Sequence, residues 1–286
     1  MARPSQPSGD ALTELPPLYR MPVCFGPMPG PRESPNAPPL SPKRQTCSFV
    51  CPSDEARISA ILPPEMRAIV PLEVIFDVTF LSDLGWLAGG GYAMFGCRVA
   101  VSYAGPQGDT RGYFLAVLFE DLADPILSGR EELGYAKLFC DIELDTSPDG
   151  EDTLTCAWRD HTFATFTFAD PNPSTTPVTS LEGGKGLLHH RYFPATGQWG
   201  KPLVSEAALS PVTPGETEVT ARDAGRGSLT FTPGAWSDLP TLYHVVSGIE
   251  ALVIGTVTRA ERWGGVGMNA QADQVILGPI TPPGSA

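Results

Sequence analysis

The chain has 286 residues, 42% hydrophobic and 18% charged, with a formal net charge of −13. So acidic a chain is a poor partner for nucleic acid or an anionic membrane surface. No apolar run approaches the roughly 18 residues needed to span a bilayer, and no basic segment followed by an apolar one marks a secretory leader. The expected setting is therefore cytoplasmic, and the size suits one β-rich domain of about 200–250 residues.

In chain order, residues 1–42 are dominated by Pro, Ser and Gly, with Pro16-Pro17 and Pro38-Pro39 among them. Such a segment forms neither a long helix nor a central strand. It reads as an irregular arm with apolar anchors at Leu18-Tyr19 and Val23-Cys24-Phe25, laid over the domain or a neighbouring subunit. Residues 43–265 read as the β domain, and residues 266–286 as a C-terminal tail, loose from Gly278 onward. Asp54 caps a short helix to Leu62 that Pro63-Pro64 stops. Strands are expected at Val74–Leu81, Gly91–Tyr103, Gly112–Glu120, Ala136–Glu143, Thr153–Arg159, Thr162–Ala169, Gly186–Tyr192, Glu206–Ser210, Gly227–Thr232 and Ala251–Arg262. Pro125 leaves a loop and at most a short helix between Glu120 and Leu133. Leu239–Glu250 is the second helix candidate. The expected class is α+β, mainly antiparallel β, as a closed barrel or double sheet with a few short helices.

The cysteines, Cys24, Cys47, Cys51, Cys97, Cys140 and Cys156, are too scattered for a disulfide framework. Cys47 and Cys51 have no second Cys/His pair at ligand spacing, so buried free thiols are expected. His189-His190 point to opposite faces of a strand and make no two-ligand metal site. Gly89-Gly90-Gly91 precedes a strand, so it is no phosphate loop, which needs a following helix. No metal and no dissociable cofactor is expected.

Of the four lysines, Lys43 and Lys201 lie in Pro-rich surroundings and Lys185 in a glycine loop. Lys137 alone is followed by the core-like Leu138-Phe139-Cys140. Burial disfavours the ammonium form, and a neutral amine condenses with a ketone to a Schiff base. The competing reading is a lysine at a strand edge that holds its head in water.

The stretch Gly129-Arg130-Glu131, three residues, then Tyr135-Ala136-Lys137 resembles the signature of the acetoacetate decarboxylase family. That family's activated lysine is itself a worked example of covalent catalysis. Arg44, the segment Val74-Ile75-Phe76-Asp77, Gly227–Phe231 and Ser237-Asp238-Leu239-Pro240 extend the resemblance to roughly residues 44–263. It implies that Lys137 is the Schiff-base nucleophile and Arg44 the substrate-site arginine. It implies that Asp77 is an active-site acid in place of a glutamate. Tyr135, Met94, Arg130 and Glu131 fall at substrate-binding positions, and Arg130 and Glu131 read equally as bracing the loop that carries Lys137. Two positions depart from the family pattern: Leu138 stands where a second lysine is usual, and Met94 where a second acid is.

The resemblance implies a Schiff-base-forming lyase that decarboxylates a β-keto acid or related oxo acid. Arg44, Arg130 and Lys137 would make a local positive pocket for that small anion. A biosynthetic role in secondary metabolism fits the two departures. The alternatives are an aldolase or dehydratase using the same imine, and a non-catalytic ligand-binding barrel. A homo-oligomer is the further expectation.

Overall fold

The computed structural model describes residues 19–25, 40–212, 217–267 and 274–282. Fourteen strands dominate it: β1 Lys43–Pro52, β2 Met66–Ala68, β3 Glu73–Leu84, β4 Gly90–Gly105, β5 Gly108–Glu120, β6 Lys137–Phe139, β7 Asp141–Thr146, β8 Asp152–Trp158, β9 His161–Pro173, β10 Gly186–Pro194, β11 Pro202–Pro211, β12 Thr217–Phe231, β13 Arg259–Gly267 and β14 Val275–Pro279. Three short helices interrupt them: α1 Glu55–Ser59, α2 Ala123–Ser128 and α3 Tyr243–Glu250.

One sheet links the strands in the order β14-β11-β10-β5-β4-β3-β1-β13-β12-β9-β8-β7, with β2 on β4 and β6 on β5. Apart from the parallel β5–β10 and β5–β6 contacts, the pairing is antiparallel. The expected closure into a barrel is not found, because no ladder among the described residues joins β14 to β7.

The two-residue period of a strand decides which side chains meet the core and which meet the opposite face. On β1, Cys47, Phe49 and Cys51 are in the apolar core, while Arg44, Thr46 and Ser48 line a cavity. On β3, Phe76 and Val78 join the core, while Asp77, Thr79 and Leu81 face the cavity. On β4, Ala93, Phe95, Cys97 and Val99 go inward, and Met94, Gly96 and Arg98 go to the cavity. The core side is held by an aromatic cluster, with Phe95 stacked on Phe119 at 5.6 Å and Phe49 against Phe166 at 5.1 Å. Such pairs add about 0.5–1.5 kcal/mol each beyond the area they bury.

β5 carries a bulge. Cys97 pairs Val117 and Arg98 pairs Leu115, so Ala116 is the extra residue. A bulge shifts the alternation by one place. Leu115 and Leu118 therefore both reach the cavity, and so does Glu120.

Several elements differ from the sequence expectation. Lys43–Pro52 is a full strand between β3 and β13, although its proline-rich lead-in concealed it. The run 136–143 is two strands broken at Cys140. The expected strand 251–262 begins at Arg259, after turns, and α3 begins at Tyr243. The tail contains β14 up to Pro279, paired with β11. Of the six free cysteines, five are buried as expected and Cys24 is exposed. The arm expectation for residues 1–42 falls largely outside the described residues. Within them Arg20 pairs with Glu132, beside the lysine turn. No helix among the described residues is long and apolar enough to cross a membrane.

Candidate active site

The cavity on the polar face of the sheet has a volume of about 570 Å³, with Lys137 in its wall. The chain reaches Lys137 through α2 and one π-helical turn, Gly129–Leu133, which ends at Gly134 in the left-handed region at φ 73°. That conformation suits glycine. Tyr135 N–H then donates to the Gly129 carbonyl at 3.0 Å. β6 follows in parallel register with β5, Lys137 opposite Leu118.

Gly129 has a further reason to be glycine. A Cβ there would lie 2.5 Å from Lys137 Nζ and 2.6 Å from Cδ. The lysine side chain passes through the space that the missing Cβ leaves.

Lys137 is 6% exposed. Its Nζ lies 2.7 Å from Oε1 of Glu120 and donates to the Pro125 carbonyl at 2.9 Å. It also sits 5.7 Å from the centre of the Tyr135 ring. Glu120 is 0% exposed. Its contact with Lys137 is a close ion pair, and neither carboxylate oxygen has another hydrogen-bond partner among the described residues. Burial pushes the Glu120 carboxyl above its ordinary value, and Lys137 opposes that rise.

Tyr135 is buried. Its ring stacks on His189 at 4.4 Å, and its hydroxyl pairs with Ser210. The buried His189 Nε2 meets the Leu133 carbonyl at 3.0 Å. Burial pulls the His189 pKa down to about 4, so the ring is neutral at pH 7 and Nε2 carries the donated proton. β10 thus holds both sides of the lysine turn. Tyr135→Phe keeps the stack and loses the hydroxyl contact. It is expected to cost about 1 kcal/mol, read as a fall of about 2–4 °C in melting temperature.

The other cavity charges are mostly paired. Asp77 accepts from Ser48 Oγ at 2.6 Å and from Arg98 Nε at 2.5 Å. Burial works against the Arg98 charge, but Asp77 outweighs it and the pKa rises. Arg222 pairs with the buried Glu261. Arg44 differs: it makes no ion pair with a described carboxylate, and its buried Nε has no hydrogen-bond partner. Its guanidinium lies 5.0 Å over the Trp263 ring, and burial lowers its pKa. Four cations against three carboxylates leave the described lining with one positive charge, inside a chain of net charge −13.

The structure therefore brings Lys137, Arg44, Asp77, Tyr135 and Met94 to one cavity. Arg130 and Glu131 are outside its described lining. Arg130 instead donates to the Lys137 carbonyl at 2.7 Å, which braces the strand that carries the lysine. Leu138 packs against the apolar core. Sequence reasoning missed Glu120, Arg98, Arg222 and Glu261. Of these, Arg98 is a lone charge inside an apolar strand run, and such a charge requires a partner. No group of three or more His, Cys, Asp or Glu among the described residues is placed to hold a metal ion.

The family model for acetoacetate decarboxylase matches residues 20–262. Among solved structures, one acetoacetate decarboxylase aligns with a TM-score of 0.65 at 18% identity, over 91% of this chain and 99% of that one. The acetoacetate decarboxylase of Legionella pneumophila subsp. pneumophila str. Philadelphia 1 aligns with a TM-score of 0.61 at 22% identity, over 93% and 96%. The enduracididine biosynthesis enzyme MppR, complexed with pyruvate, aligns with a TM-score of 0.65 at 16% identity, over 93% and 99%. At these identities the likenesses bear on the fold. A search of curated proteins finds no match. The family model spans most of the sequence and two solved acetoacetate decarboxylases share the fold, so the chain belongs to the acetoacetate decarboxylase family.

Proposed function

We propose that this protein is a Schiff-base lyase whose nucleophile is Lys137 and whose substrate is an oxo acid. The observation that carries the reading is a buried amine and, in the same cavity, an arginine, Arg44, with no described carboxylate partner and a buried Nε without a hydrogen bond. The first suits attack on a ketone. The second suits a substrate carboxylate, which Arg binds as a two-pronged fork.

In the proposed sequence the Lys137 amine adds to the ketone carbon and water leaves. The protonated imine then draws in the electrons of the bond from the neighbouring carbon to its carboxylate. For a β-keto acid that bond releases carbon dioxide and gives an enamine, which is protonated and hydrolysed. Asp77, fixed by Ser48 and Arg98, orients the substrate oxygen or a proton. Tyr135 and Met94 supply part of the wall that excludes water.

A cavity of about 570 Å³ falls in the range of about 300–1,000 Å³ that accommodates drug-sized ligands. That favours an oxo acid larger than a four-carbon one. The same room favours the second reading, in which the imine's carbanion attacks a second carbonyl compound, as in an aldolase or dehydratase. One structure of the similar MppR is described as complexed with the condensation product of pyruvate and imidazole 4-carboxaldehyde.

The test is borohydride trapping with a panel of 2-oxo and 3-oxo acids, followed by peptide mass mapping. A reduced adduct on Lys137 is expected. Absence of an adduct with every acid would move the protein to the non-catalytic, ligand-binding alternative. With any trapped substrate, Arg44→Lys is expected to raise KM by roughly tenfold or more, since it loses one charge-assisted hydrogen bond of about 1.5–3 kcal/mol. Steady-state kinetics checks this.

A further inference from the structure

We propose that Glu120 is the proton-transfer partner of Lys137, a catalytic carboxyl that takes the ammonium proton and returns it to the departing oxygen. This rests on the imine reading above.

Geometry carries the argument. Glu120 ends β5 at 0% exposure, and its Oε1 lies 2.7 Å from Lys137 Nζ. No other described carboxylate makes an ion pair with Lys137. At 2.7 Å Oε1 is within hydrogen-bond reach of Nζ, and Glu120 makes no other side-chain hydrogen bond among the described residues. Asp77 is the opposite case, since its oxygens are occupied by Ser48 and Arg98. Asp121, next in the chain, accepts from Ala93 N–H at 2.8 Å. Met94 faces Glu120 across the β4–β5 ladder and has no proton to exchange. A buried carboxylate whose one partner among the described residues is a buried amine is costly as a purely structural device. It is well placed to pass one proton back and forth.

The step balances. Lys137 ammonium gives a proton to the Glu120 carboxylate, leaving a neutral amine and a carboxylic acid. The amine nitrogen bonds to the ketone carbon, and the carbonyl π pair moves to oxygen. Glu120 protonates that oxygen and then takes a proton from the cationic nitrogen, giving a neutral carbinolamine. Glu120 finally protonates the hydroxyl, the carbon–oxygen bond breaks, and water leaves. The products are a protonated imine and a Glu120 carboxylate, with the same total charge as at the start. No other reactant is consumed.

The experiment is time-resolved borohydride trapping on the full chain with pyruvate and acetoacetate as probe ketones. Circular dichroism checks that the variants are folded. Glu120→Gln is expected to slow adduct formation about 100-fold or more while the adduct still maps to Lys137. Glu120→Ala is expected to be similarly slow, and added formate should accelerate it at least tenfold without accelerating the wild type. A wild-type rate in Glu120→Gln would overturn the proposal. So would a folded Glu120→Ala that stays slow with formate, since a counter-ion role alone predicts that result. If the wild type gives no adduct with either ketone or with any acid of the panel, the imine reading falls first and this role falls with it.

Discussion

Lys137→Met is expected to lose the trapped adduct and roughly 10⁴–10⁶-fold of turnover, the scale seen when a catalytic nucleophile is removed. It is also expected to make stability depend on pH in a new way. The wild-type pair lies in a dry site, with side chains 7% and 0% exposed for Lys137 and Glu120. Removing one partner of a buried ion pair costs about 3–5 kcal/mol. Glu120 already has a folded-state pKa above the ordinary 4.5, because burial outweighs the lysine. Without Lys137 the opposing interaction is gone and the pKa rises further.

A carboxyl with a raised folded pKa keeps its proton more tightly folded than unfolded. Its favourable contribution is therefore present below about pH 4.5 and is lost as pH rises through the folded value. The stability gap between Lys137→Met and wild type should be largest near pH 7.5 and should narrow toward pH 4.5. Urea denaturation at the two pH values measures it. A gap that stays constant would show that Glu120 does not titrate in that window. The double variant Lys137→Met/Glu120→Leu replaces both charges with apolar groups, which is often neutral or stabilising. It should recover stability at pH 7.5 and none of the activity, which separates the two roles of the pair.

The sequence made the core faces legible because alternation is strong where one face is apolar. In Thr162–Phe168 the alternation puts Phe166 and Phe168 on one face, and a bulge at Phe163 brings it to the core as well, all three at 0% exposure. β1 was not legible. Arg44, Thr46 and Ser48 alternate with Cys47 and Phe49, but the same strand has a polar buried face, so the pattern resembles a surface segment. The Ala251–Arg262 run failed for the opposite reason. It is apolar enough for a strand, yet Leu252, buried at 2%, anchors a turn after α3.

The site shows the same limit. Lys137 was legible because its neighbours look like core, and Arg44 and Asp77 followed from a local resemblance. Glu120 could not be placed as a partner, because its contact with Lys137 depends on the parallel β5–β6 register across the 121–136 connection. Arg130 stands beside Glu131 in the motif and reads as a binding group. In three dimensions it faces back and holds the Lys137 carbonyl. The chain's charge is a further example. A net of −13 argues against anionic ligands globally, while the cavity gathers a positive surplus by pairing all but one of its arginines with acids. The residue left over, Arg44, is the one to which the proposed function assigns the substrate carboxylate.

Gly129→Ala is the second large effect, and it should appear in catalysis far more than in stability. Gly129 has φ −66° and ψ −36°, a helical conformation that alanine adopts freely. Alanine gains about 1 kcal/mol over glycine there by propensity. Its Cβ, however, would sit 2.5 Å from Lys137 Nζ and 2.3 Å from Cε, well inside van der Waals contact. Overpacking of that kind costs about 1–3 kcal/mol, so the net loss should stay below about 2 kcal/mol. The atoms that must yield are the far end of the lysine, not backbone. Relief therefore comes by moving Nζ away from Glu120 Oε1 and the Pro125 carbonyl. A displacement of about 1 Å at a reacting atom can cost about 100-fold in rate. The expected outcome is a melting temperature within a few degrees of wild type and a fall of about 100-fold in the rate of adduct formation on Lys137. A large loss of stability with an unchanged rate per folded molecule would instead make Gly129 a packing residue of the turn. The first result would explain in physical terms why a glycine opens the Gly-Arg-Glu segment eight residues before the lysine: the nucleophile occupies the volume its side chain would fill.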